Sequence, residues 1–230
     1  VTSPPSVRVT HWLTVLAFFA LLLSGVNILV SHPRFYWGDT GNSRTKPLFQ
    51  FPIPASRASV PTGYDFVLPD QNGWSRALHF QAAWLLVFTG LFYVLASLIG
   101  GHFRRALWPS SGELSARELG RAIADHLRLQ PPRMRKYNVL QKIAYLKVIF
   151  LLAPLTIWTG LAMSPAFTAA FPATVTLLGG HQSARTLHFL CAVALFVFFV
   201  MHLIMIWRVG FVERTRAMLT GRAATTEEPA

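Results

Sequence analysis

From Leu187 to Trp207 the chain has 21 consecutive residues without a charge, and about 20 apolar residues suffice to cross a bilayer as a helix. Three further runs pass the same test: Trp12 to Val30, His79 to Gly100 and Ile143 to Met163. The last of these is the weakest, because it carries Lys147 near one end and Pro154 inside. Lysine so placed snorkels to the interface, and proline kinks a membrane helix without forbidding it. Composition agrees: 53% of the 230 residues are hydrophobic and only 13% charged, which is too apolar for an ordinary soluble domain. The first run is longer than a signal-peptide core and lacks a small-residue cleavage site after Ser24-Gly25-Val26-Asn27, so it reads as a retained span.

Four spans put both termini on one side of the membrane. That side collects 15 of the 21 Lys and Arg, the other side six, and the positive-inside bias assigns the richer side to the cytoplasm of a bacterial inner membrane. The net charge of +12 is thereby explained by topology and anionic lipid, and no nucleic-acid partner is expected. A single cysteine, Cys191, excludes a disulfide within the chain and a covalent Cys-x-x-Cys-His haem attachment. It reads as a small packing residue.

The fourth span also holds His188 and His202, fourteen residues apart. On an α-helix this is about 21 Å of rise and about 40° short of four turns, so both rings leave one face at two membrane depths. Ionisable side chains in hydrocarbon mark functional sites, and imidazole is a usual axial ligand of haem iron. Two bis-histidine haems need one more histidine at each depth. His11 lies at the cytoplasmic mouth of the first span and His79 opens the second from outside. Depth then pairs His11 with His202 on an inner haem iron, and His79 with His188 on an outer one. Any one of these taken singly is an ordinary interfacial or packing histidine; four that fall into two depth-matched pairs point to two non-covalent b haems. His32, His102, His126 and His181 lie in connections or at their edges and read as interfacial.

Arg8, Arg76 and Arg185 each stand three residues before a ligand, about one turn nearer water, where haem propionates need cations. Gly25, Gly90 and Gly160 leave room inside the spans for macrocycles, or for close helix packing. No span contains Asp or Glu, which argues against a metal transporter.

The connections have their own signatures. Ser31 to Leu78 is a long outer loop rich in proline, glycine and aromatics, which either caps the helices or docks a partner. Ser115-Ala116-Arg117-Glu118 is a capping-box pattern, followed by Leu119, Ile123 and Leu127 on one face, which predicts a short amphipathic helix on the inner membrane surface. Pro131-Pro132 ends it. The second outer connection, Ser164 to Thr186, is short and holds Gly179-Gly180. The chain reads as one all-α membrane domain over 1–221, a four-helix bundle holding two haems, with a disordered tail over 222–230.

The Arg-x-x-His-Trp opening, the His heading the second span and the His-x13-His fourth span resemble the membrane cytochrome b subunits of formate dehydrogenases and nickel-iron hydrogenases. Thiosulfate-reductase cytochromes and cytochromes accompanying periplasmic molybdopterin oxidoreductases belong to the same broad family. The resemblance implies two b haems in a four-helix core that pass electrons between a partner enzyme and the quinone pool. It also implies a quinone site near the inner haem, where polar residues head the third span. Asn138 and Gln141 fit that place, one turn apart on one face, with Lys142 and Tyr145 as helpers. The long outer loop departs from the hydrogenase and formate-dehydrogenase pattern and looks more like the cytochromes of sulfite-oxidase-type molybdopterin enzymes. The reading is thus an electron-transfer subunit between a periplasmic oxidoreductase and quinone. The competing reading is a self-sufficient quinone-linked oxidoreductase acting on a small diffusible species such as superoxide.

Overall fold

The computed structural model describes residues 4–42, 44–52, 73–127 and 139–221. Four helices in it are long and apolar enough to cross a membrane: Pro5–Ser31, Trp74–Ile99, Val139–Leu161 and His181–Arg208. We label the elements α1 (Pro5–Ser31), β1 (Arg34–Phe35), β2 (Phe49–Gln50), α2 (Trp74–Ile99), α3 (Ala116–Leu127), α4 (Val139–Lys147), α5 (Ala153–Leu161), α6 (Pro165–Ala170), α7 (Ala173–Thr176) and α8 (His181–Thr220). Each spanning helix begins several residues before its apolar run. Hydropathy sees only the hydrocarbon-embedded stretch, whereas the helical ladder continues through the interfacial turns that carry Arg8, Arg76 and Arg185.

The third span is not a regular α-helix. Between α4 and α5, Val148–Leu152 form a π-helical turn. Pro154, two residues beyond its end, lacks an N–H and cannot complete the α-helical ladder, and a π turn is one way to absorb the mismatch. α8 runs on past its apolar part, with a break at Gly210 (φ 109°, ψ 86°).

Contacts divide the chain into two compact units, and each of the four spans contributes to both. One unit comprises Leu13–Phe88 and Ala153–Val193. Its interior is made of small side chains, with Ala17, Ser24, Thr159, Ala162, Ser183 and Ala184 wholly buried. Small residues let helix backbones approach where no hydrophobic drive separates protein from lipid tails. The outer loop belongs to this unit. β1 and β2 pair antiparallel, Phe35 opposite Phe49, a short hairpin that the loop's composition did not announce. Phe35 stacks on Phe49 at 4.7 Å and packs at a tilt against Phe189 of α8 at 4.6 Å.

The same loop caps the start of α8. The Gly38 carbonyl accepts from Gln182 N (2.9 Å) and Ser183 N (3.2 Å), and Gly38 N donates to Ser183 Oγ (2.8 Å). Thr186 Oγ1 donates to the Tyr36 carbonyl at 2.7 Å. Gly180, at φ +110°, is required here, since a Cβ would run into the Gly38 carbonyl and the Asp39 carboxylate. The described part of the loop is therefore a helix cap.

The other unit comprises Val1–Trp12, Thr89–Leu152 and Ala194–Ala230. It contains the amphipathic helix expected after Ser115, whose Oγ accepts from Glu118 N at 3.4 Å. The Glu118 carboxylate bonds Arg121 at 2.8 Å instead of closing the capping box. Trp12 Nε1 donates to the Met218 carbonyl at 3.3 Å, tying α1 to the end of α8. The tail over 222–230 lies outside the described residues.

Candidate functional site

The structure brings the four histidines together in the two pairs that depth assigns, one pair in each unit. His79 and His188 have ring centroids 6.1 Å apart; His11 and His202 are 6.4 Å apart. A metal bound between two imidazoles sits about 2 Å from each nitrogen, and each nitrogen lies about 1.1 Å from its ring centre, for a total of about 6.2 Å. Both pairs fit a shared iron.

In the outer pair the second ring nitrogens are already committed. Ser24 Oγ donates its one proton to the Ala20 carbonyl at 2.6 Å, so its 2.9 Å contact with His79 Nδ1 has the imidazole N–H donating. Thr159 Oγ1 likewise donates to the Leu155 carbonyl (2.8 Å) and lies 3.1 Å from His188 Nδ1. His188 Nδ1 also faces the Thr156 carbonyl at 3.0 Å, which can only accept. Both imidazoles therefore carry their proton on Nδ1 and keep the Nε2 lone pair for a metal. Fixing the tautomer through the outer nitrogen is the usual support of a ligating histidine.

Each hydroxyl is followed by a glycine, and these glycines face the rings. A Cβ on Gly25 would stand 3.6 Å from His79 Cε1, and one on Gly160 would stand 3.3 Å from His188 Cε1. Sequence reasoning singled out the glycines as space for macrocycles and missed Ser24, Thr156 and Thr159. The available signal was the repeated hydroxyl-glycine pair, Ser24-Gly25 and Thr159-Gly160. At Gly90 nothing lies within 4 Å of the added carbon.

The inner pair is held differently. His202 lies parallel to Phe198 (6.0 Å, 19°) and edge-on to Tyr145 (6.2 Å, 75°), with the Tyr145 hydroxyl 3.5 Å from Nδ1. His11 Nδ1 is buried and has no hydrogen-bond partner among the described residues, and the same holds for Arg8 Nε. An orphaned buried guanidinium N–H one turn from a proposed ligand suits a haem propionate. Arg76 is exposed. The Arg185 guanidinium instead donates to the carbonyls of Arg34 and His32 and lies 5.1 Å over the Phe35 ring.

Beside His202 opens a pocket walled by Gln141, Ala144, Tyr145, Phe198, Met201 and Met205. Its lining residues are apolar apart from Gln141, Tyr145 and His202. Asn138, the other residue expected there, lies outside the described residues. Lys142 does not line the pocket. Its ammonium bonds Glu113 at 2.7 and 3.0 Å, and this contact, with Ser110 N donating at 2.7 Å, holds the Glu113 carboxyl down at about 2.

The family model for prokaryotic cytochrome b561 matches residues 3–221. A curated protein of Azospira oryzae, named "Putative protein-methionine-sulfoxide reductase subunit YedZ1", is 31% identical over 226 residues, 95% of either chain. No solved structure gives a significant match.

Proposed function

The chain belongs to the prokaryotic cytochrome b561 family of membrane electron-transfer proteins, and we propose that it carries electrons across the bilayer through two bis-histidine b haems. His79 and His188 are the ligands of the outer iron, His11 and His202 those of the inner one. The observation that carries this reading is the pair of ring separations, 6.1 and 6.4 Å, each the width of an iron between two imidazoles. Haem b would supply reversible one-electron exchange, and with a histidine held on either side it would have no open position for oxygen or substrate. A pyridine haemochrome assay against protein concentration should give two haems per chain; a ratio of one or zero defeats the reading.

The inner end meets quinone in the pocket beside His202. One quinone becomes a quinol by taking two electrons and two protons, so the site needs hydrogen-bond donors to the carbonyls; Gln141, which lines the pocket, is assigned that role, with Asn138 as the second donor that the family resemblance implies. Gln141→Leu and Asn138→Leu should retain both haems. Losing such a donor costs about 1–3 kcal/mol, roughly five- to 150-fold in quinone affinity. Wild-type reoxidation by a soluble quinone in both variants would place the quinone site elsewhere.

At the outer end the partner is a periplasmic oxidoreductase. The relative's name describes a subunit of a protein-methionine-sulfoxide reductase, and the outer-loop resemblance favours a molybdopterin enzyme as the partner here. This orientation has both termini in the cytoplasm, supported by the 15-to-six division of Lys and Arg. Co-purification in mild detergent identifies the partner.

A further inference from the structure

α8 is two helices in succession. Its spanning part ends at Arg208, the backbone breaks at Gly210 (φ 109°), and residues 211–220 form a second helix. A straight continuation would carry Leu219, eleven residues past Arg208, about 16 Å beyond the end of the span and into water. The break lets the second helix leave the line of the first.

Its residues are arranged as on a helix that lies in a membrane surface. At about 100° per residue, Phe211, Val212, Thr215, Met218 and Leu219 fall within an arc of about 120°. Arg214 and Arg216 flank this arc, one on each edge, and Glu213 stands opposite. Arginines so placed lay their stems along apolar surface and lift their charge to the headgroups. The arc is open: Val212 is 75% exposed, Leu219 58% and Phe211 47%, and both arginines are exposed.

The far end of this helix is held in place. Trp12 Nε1 donates to the Met218 carbonyl at 3.3 Å, and the Arg8 guanidinium lies against Gly221, where an added Cβ would run into it. The helix is thus tied to the start of α1, on the side of the membrane that both termini share. A second copy of the chain seated on the arc would set arginine against arginine at both rims. A phospholipid surface instead supplies acyl chains for the arc and phosphates for its edges, and it begins where the span ends. We propose that residues 211–220 are an in-plane membrane-surface helix, with Phe211, Val212 and Leu219 among the acyl chains and Arg214 and Arg216 paired with anionic phospholipid headgroups. This inference does not depend on the haem assignment.

The test uses the haem-loaded full chain in vesicles of phosphatidylglycerol and phosphatidylcholine. It is spin-labelled at Val212→Cys or, on the opposite face, at Glu213→Cys, each with Cys191→Ala and each checked for wild-type haem content. Collisions with oxygen, which concentrates among acyl chains, and with a nickel chelate confined to water report the depth of the label. The Val212 label should be open to oxygen and protected from nickel, and the Glu213 label the reverse. Adding Arg214→Gln and Arg216→Gln, or using phosphatidylcholine alone, should shift the Val212 label toward nickel accessibility. A Val212 label open to nickel in the mixed vesicles overturns the proposal. Protection of that label from both reagents also overturns it, by showing the arc covered by a second copy or another protein. A depth that responds neither to phosphatidylglycerol nor to the two arginines overturns the anionic headgroup as ligand.

Discussion

The two histidine pairs have nearly the same ring separation, yet they are supported in opposite ways. At the His79–His188 pair both Nδ1 atoms end on hydroxyls or carbonyls of helices, and the two hydroxyl residues, Ser24 and Thr159, are wholly buried. At the His11–His202 pair one Nδ1 has no partner among the described residues and the other has a single long contact to a phenol. A ligand whose second nitrogen is tied to backbone-anchored groups has one orientation and one basicity. A ligand held by aromatic packing and one side-chain hydroxyl can respond to what lies next to it. On the proposed function, the comparison teaches that a relay can keep rigid the end that would accept an electron from a docked protein, and leave adjustable the end where chemistry with protons would follow.

The sharpest way to break this comparison is to delete one ligand at a time. His188→Ala should lose the outer haem and His202→Ala the inner, each variant retaining the other haem in a redox titration. A single substitution that empties both sites in a folded protein would contradict the pairing. Next in size is the support of the outer pair: Ser24→Ala and Thr159→Val should each weaken outer haem retention about 10- to 100-fold while the inner haem stays, the usual consequence of removing a histidine's second partner. Equal loss at both sites would show that the hydroxyls act on helix packing alone.

Gly180→Ala tests the cap that seats α8. An L-residue at φ +110° is strained by about 1–3 kcal/mol, and the collision with Gly38 adds to this. The expected result is a lower melting temperature in detergent with preferential loss of the outer haem.

The smallest effect concerns Glu113. Its carboxyl is held at about 2, against an ordinary 4.5, by the Lys142 ammonium, so the ion pair's contribution is complete above the ordinary value and fades as pH falls toward about 2. Glu113→Gln should therefore melt below wild type near neutral pH and converge with it inside that acid window. A difference that persists at acid pH would mean that the pair is not what anchors Lys142.

The spans, the pairing and the amphipathic helix were legible because each leaves a periodic or depth-resolved trace: uncharged length, a fourteen-residue spacing, a capping box. The supports of the rings were not, because Ser24 and Thr159 read as ordinary small polar residues until a histidine from another helix is placed 2.9 or 3.1 Å away. Lys142 shows the same limit. Its position beside Gln141 made it a natural helper for quinone, but its direction is set by Glu113, 29 residues earlier in a connection whose path no local pattern reveals. Arg185, one turn from His188, is likewise drawn to loop carbonyls that composition alone does not locate.

Both pairs take one histidine from α8, the fourth in chain order of the spanning helices among the described residues. On the proposed function neither haem site can close before α8 is in place, so cofactor loading would follow its insertion. Until then the imidazoles of His11 and His79 lack their partners. Membrane quality-control proteases that scan for polar groups in lipid would have in these residues a direct means of distinguishing a finished cytochrome from an empty one.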